Sequence, residues 1–112
     1  MPRDGAVFLD DIVEACEKIG RYTAEMTLED FRQDERTIDA VVRNLEIVGE
    51  AAKNLPEGLR NAITVDWKRI AGLRDVLIHA YFGIDVDIIW DIVQSKVPEL
   101  RRQVSDYLNQ RT

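Results

Sequence analysis

Apolar residues recur along this chain at intervals of three and four, the spacing of a helix face. Phe8, Leu9, Ile12, Val13, Cys16 and Ile19 line one side of a segment from Asp4 to about Gly20, with Asp10, Asp11, Glu14, Glu17 and Lys18 opposite. Arg21 to Met26 breaks the pattern. Thr27-Leu28-Glu29-Asp30 then reads as a short capped turn, with the Thr27 hydroxyl accepting from the Asp30 N–H. A second long helix is expected from near Asp34, with acidic residues in its first turn where the helix dipole favours them. Its apolar stripe is Ile38, Val41, Val42, Leu45, Val48, Ala52 and Leu55, and its charged stripe is Arg36, Asp39, Arg43, Glu46, Glu50 and Lys53. Pro56 ends that element, and Glu57 to about Ile63 has room for one or two turns.

Asp66 is a good N-cap for a strongly apolar helix that starts at Trp67 and stops at Gly83. Asp85 caps the next one, in which Val86, Ile89, Trp90, Val93, Val97, Leu100, Val104, Tyr107 and Leu108 keep helical spacing straight through Pro98. A kink, or a fresh start with Pro98 in a first turn, accommodates that proline. No repeat, linker or low-complexity segment interrupts the chain. The pattern predicts an all-α, up-down bundle of about four to five helices, one domain spanning residues 1–112.

Composition narrows the setting. Six glycines and three prolines in 112 residues suit helices better than a turn-rich sheet protein, and 46% hydrophobic with 32% charged residues is ordinary for a globular domain. Cys16 is the only cysteine, so no internal disulfide forms, and its apolar position reads as a buried thiol in a reducing compartment. No apolar leader or membrane-length run is visible, so a cytoplasmic location is expected. The net charge of −6, from 15 Lys and Arg against 21 Asp and Glu, argues against broad phosphate-backbone binding. A nucleic-acid partner would have to be held at a local positive patch.

Candidate chemistry gathers in Ala71 to Gly83, which holds the only histidine, His79. Asp75 and His79 are four apart, about 40° around an ideal helix, so the carboxylate can orient and stabilise the imidazole. Arg74 and Tyr81, seven apart, share an edge, whereas Arg74 and His79 diverge by about 140°. That divergence suits a site completed by a second chain across a two-fold axis. An arginine with a histidine is a reasonable set for metal-independent transesterification of RNA, the arginine steadying phosphate charge and histidine moving protons. No cluster of residues stands at metal-ligand spacing. Spacing leaves a second reading open, in which His79 is a satisfied core histidine, Arg74 a surface ion-pair former and Tyr81 a packing residue. The charged stripe of the second long helix is likewise either a solvated face or, because Glu46 and Glu50 are like charges four apart, part of a partner-facing surface.

Arg74, four intervening residues, His79, Ala80 and Tyr81 match the R-x4-H-x-Y motif of HepT-like toxins, a branch of the HEPN superfamily. Phe8 to Ile12, Asp34 to Thr37, Arg43 to Ala52, Trp67 to Leu73 and Tyr81 to Asp85 also resemble that family. The resemblance implies a HEPN-like helical homodimer with a composite cleft at its interface. In it Arg74 and His79, supported by Asp75, would carry metal-independent RNA cleavage without a cofactor. It further implies a type VII toxin–antitoxin pair in which a minimal nucleotidyltransferase antitoxin silences the toxin by adding AMP to Tyr81. Lys68, Arg69 and Arg74 are then the expected positive patch. The other reading the resemblance allows is a non-catalytic HEPN nucleotide- or RNA-binding scaffold subunit of a nucleotidyltransferase complex. The net acidity and the absence of a second histidine favour it.

Overall fold

The computed structural model describes residues 5–82 and 85–110, with the side chains of residues 79–82 outside that description. Among the described residues every element is helical: α1 Gly5–Thr23, α2 Leu28–Gln33, α3 Glu35–Lys53, α4 Glu57–Ala62, α5 Trp67–Ala71, α6 Leu73–Phe82, α7 Val86–Asp91, a π-helical turn Ile92–Lys96, and α8 Val97–Gln110. The expected all-α architecture is what forms. Four long members, α1, α3, the broken rod α5–α6 and the continuous rod α7–π–α8, surround one core, with α2 and α4 as short connectors.

The core follows the predicted stripes. Leu9, Ile12, Cys16 and Ile19 of α1 meet Val41, Leu45, Val48 and Ala52 of α3, and α8 closes the other side with Val97, Leu100 and Val104. α3 also packs on α2, α5 and α6, so its apolar face anchors most of the bundle. At the entry to α1, Gly5 lies so close to Pro56 and Leu59 that a Cβ there would collide with the Leu59 methyl.

Several helix boundaries differ from those the pattern suggests, each for a local reason. α1 continues past Gly20 to Thr23, whose buried hydroxyl donates to the Ile19 carbonyl at 2.8 Å. The chain leaves the helix at Glu25, which adopts a left-handed φ of 65°. The Thr27 cap forms as expected: the hydroxyl accepts from Asp30 N–H at 3.1 Å and Asp30 accepts from Thr27 N–H at 3.0 Å. Asp34 caps α3 by accepting from Thr37 N–H at 3.0 Å. α3 stops at Lys53, before Pro56, because Asn54 turns its N–H back onto the carbonyls of the last turn. Arg60 donates to the Ala52 and Lys53 carbonyls, satisfying acceptors the helix end leaves open.

The helix expected from Trp67 to Gly83 is in fact two. Gly72, at φ −80° and ψ −1°, ends α5, and its carbonyl accepts from Asp75 N–H at 3.1 Å as α6 begins. Glycine is the weakest helix former besides proline, and the break falls on it. The expected stop at Gly83 lies outside the described residues. Asp85 occupies the N-cap of α7 but makes no capping hydrogen bond. α7 is held instead by a two-pronged ion pair, Arg32 Nε and Nη2 on the two Asp87 oxygens at 3.0 and 2.7 Å, and by Phe31 packed on Trp90 with ring centres 5.0 Å apart. Pro98 sits in the first turn of α8, directly after the π turn, where Val97 N–H reaches back to Ile92. The wider turn relieves the clash a proline ring makes with the carbonyl four residues back. No helix among the described residues is long and apolar enough to cross a membrane.

Two measurements check this packing and capping. Phe31→Ala removes a fully buried ring and its Trp90 contact, so urea unfolding is expected to lose about 3–5 kcal/mol with an unchanged slope; a loss under about 1 kcal/mol would contradict the packing described. The Thr37 N–H bond holds the Asp34 carboxyl below its ordinary value. A depressed native value stabilises above the unfolded pKa and is lost as pH falls through the native one. Asp34→Asn keeps a capping oxygen without the charge. It is expected to unfold more easily than the parent at pH 6, with the gap closing at pH below about 3; thermal melts across that window check it.

Candidate active site

The motif helix α6 is short, and its orientation is set by what lies before and under it. Asp66 accepts from Arg69 N–H at 3.2 Å to start α5. Trp67 is buried beside it, its indole N–H shared between the Arg60 and Ile63 carbonyls at 3.2 Å each. After the turn at Gly72, Leu77 is buried in the core at 2% exposure, the one such side chain among those described in α6. With Leu77 inward, Arg74, Asp75, Val76 and Ile78 are all exposed.

Arg74 lines a cleft between α6 and α3. Arg43, Glu46, Ile47 and Glu50 form its α3 side with Ile78 opposite, and it continues past Lys53, Gly72 and Asp75 as a hollow of about 640 Å³. Among the described residues no ion pair joins these charges. Asn54 Nδ2 steadies Glu50, donating to its backbone oxygen at 2.9 Å and towards Oε1 at 3.3 Å. Arg74 and Asp75 are therefore both exposed and line this hollow. The backbone of His79 and Tyr81 belongs to α6, while their side chains lie outside the described residues.

Other cations line the cleft with Arg74. Lys68 does not line the Arg74 cleft, and Arg69 lines an apolar groove elsewhere, together with Val76, Ile88 and Lys96. Arg43 and Lys53 of α3 are the cations that line the cleft with Arg74. These two stood in the charged stripe of α3, but nothing in one helix's periodicity says which neighbour that stripe will face.

Cys16 is buried in the core, and burial pushes its thiol up to about 12. It stays protonated and acts as a small apolar residue, as its place in the α1 stripe suggests. Among the described residues no group of three or more His, Cys, Asp or Glu could hold a metal ion.

A family model described as "Ribonuclease HepT-like" matches residues 12–107. The chain belongs to the HepT-like family. It is 47% identical over 110 residues to a protein of Methanocaldococcus jannaschii named "Putative RNase MJ0127", covering 96% of this chain and 91% of the relative. It is 44% identical over 102 residues to the "Probable ribonuclease HepT" of Thermococcus cleftensis, covering 90% and 93%. A "Putative RNase" of Caldanaerobacter subterraneus is also 44% identical over 102 residues, covering 90% and 91%. No solved structure matches the chain. The family match spans α3, α5 and α6, so the Arg74 cleft and the R-x4-H-x-Y segment both fall inside it.

Proposed function

We propose that this HepT-like chain is the toxin of a type VII toxin–antitoxin pair, a metal-independent endoribonuclease. The observation that carries the reading is Arg74, exposed in a cleft on the motif helix, within a chain whose relatives bear ribonuclease names. Arg74 would bind the scissile phosphate and stabilise the charge that builds on it. His79 would take the proton from the 2′-hydroxyl as that oxygen attacks phosphorus. The bond to the 5′-oxygen breaks, and a second imidazole returns a proton to the leaving oxygen. The products are a 2′,3′-cyclic phosphate and a 5′-hydroxyl. One chain has one histidine, so the second is His79 of another copy in a homodimer. Exposed Ile47 and Ile78 beside the cleft supply apolar surface for such a contact.

Tyr81 would be the switch. Its phenol oxygen attacks the α-phosphorus of ATP on a minimal nucleotidyltransferase, pyrophosphate leaves, and the added AMP brings negative charge and bulk to the helix that must admit RNA. A second reading, a non-catalytic HEPN scaffold subunit of a nucleotidyltransferase complex, is favoured by the net charge of −6 and by the carboxylates that share the Arg74 cleft.

Purified protein with RNA and excess chelator is expected to give 2′,3′-cyclic phosphate ends. His79→Ala or Arg74→Ala should slow cleavage by at least about a hundredfold, and full activity in His79→Ala overturns the nuclease mechanism. Incubation with the cognate nucleotidyltransferase and ATP is expected to add AMP to the peptide carrying Tyr81, read by mass spectrometry. Modification at other residues alone, with the toxin silenced, would remove Tyr81 from the switch.

A further inference from the structure

A second opening lies across α6 from Arg74. On this helix Leu73 and Val76 line it, whereas Arg74, Asp75 and Ile78 line the other cleft. It arises because α5 and α6 pack on α3, but neither packs closely on α8. Gln103, about one turn beyond Leu100 on α8, closes one end by donating to the Thr64 carbonyl at 3.0 Å, and α6 meets α7 at the other. Between these closures a cavity of about 250 Å³ reaches the core, floored by buried Cys16, Leu45 and Leu100. Protein interiors hold few voids larger than a water molecule, so one of this size is unusual. Water fits it poorly, because a buried water needs about two to four polar partners and the side chains of floor and walls are apolar.

The mouth, by contrast, is charged. Arg69, Asp91 and Lys96 stand there, all exposed, and leave a formal excess of one positive charge. Asp91 and Lys96 are five apart, which on an ideal α-helix would set them about 140° from each other. The π turn Ile92–Lys96 closes its bonds over five residues and so brings both to the same opening. The wide turn that accommodates Pro98 thus also builds the mouth. We propose that this cavity is a binding site for a small amphipathic monoanion, a carboxylate on an apolar body of about eight to ten carbons. The apolar body fills the cavity, and the carboxylate meets Arg69 and Lys96, which leaves the mouth neutral. The size follows from proportion, since an apolar cavity of about 150 Å³ already holds a benzene-sized guest. The site shares no lining residue with the Arg74 cleft, so it is independent of the ribonuclease reading.

The test is a methyl NMR titration of the full chain with sodium octanoate, 1-octanol and octylammonium. Octanoate is expected to shift the methyl signals of Ile70, Leu73, Ile92 and Leu100 saturably, with a Kd below about 1 mM. It should bind about tenfold tighter than octanol, and octylammonium should bind more weakly than either. Arg69→Gln and Lys96→Gln together change only exposed side chains. That double variant should weaken octanoate about tenfold and leave octanol within about twofold. No saturable shift of these methyls, shifts confined to Ile47 and Ile78, or equal binding of octanoate and octanol overturns the proposal. Full octanoate affinity in the double variant overturns it as well. Lining methyls that already shift on diluting the free protein assign the opening to a contact between copies, which also removes the proposal. None of these results touches the ribonuclease reading, which is judged by RNA cleavage.

Discussion

The apolar face of α3 is the constraint on which the other elements depend. Val41, Leu45, Val48 and Ala52 are almost wholly withdrawn from solvent, and α1, α2, α5 and α6 all rest against this one helix. A nineteen-residue helix with a single buried stripe must present its remaining surface outward, and α3 does so with Arg43, Glu46, Glu50 and Lys53. Its rotation is therefore fixed by the core, and the charged face falls beside α6 as a consequence. Burial on one side of α3 is what constructs the Arg74 cleft on the other.

The motif helix is positioned by a chain of local devices. Trp67 is pinned by two carbonyls, α5 ends at Gly72, and Leu77 of α6 is buried in the core. Beyond α6, Arg32 on Asp87 and Phe31 against Trp90 fix where α7 resumes. The π turn at Ile92–Lys96 then lets α7 and α8 run on as one rod despite Pro98. Among the described side chains of α6, Leu77 is buried while Arg74, Asp75, Val76 and Ile78 are exposed. The role proposed for Arg74 needs that exposure if the side chain is to meet a large polymer.

Electrostatics explains how an acidic chain can serve a polyanion. The formal charge of −6 belongs to the whole molecule, but Coulomb forces between exposed groups fade within about 10 Å at ordinary salt. Arg74 with Arg43 and Lys53 forms a local cationic set, interleaved with carboxylates that keep the cleft neutral. Under the proposed function such a site would hold a phosphate at one point and not along a backbone.

Helix identity, the caps at Thr27 and Asp66, the buried Cys16 and the core stripes were legible in the chain because each depends on contacts within about one turn or on simple periodicity. The R-x4-H-x-Y segment was legible for the same reason, as was the family to which the chain belongs. The break at Gly72 was not, since an apolar pattern that continues through a glycine cannot show where tertiary packing will use it as a turn. Nor was the placing of Arg43 and Lys53 beside Arg74. Which charges meet across a cleft is decided by how two helices, twenty or more residues apart in sequence, are rotated by the cores they bury, and only the folded chain fixes that rotation.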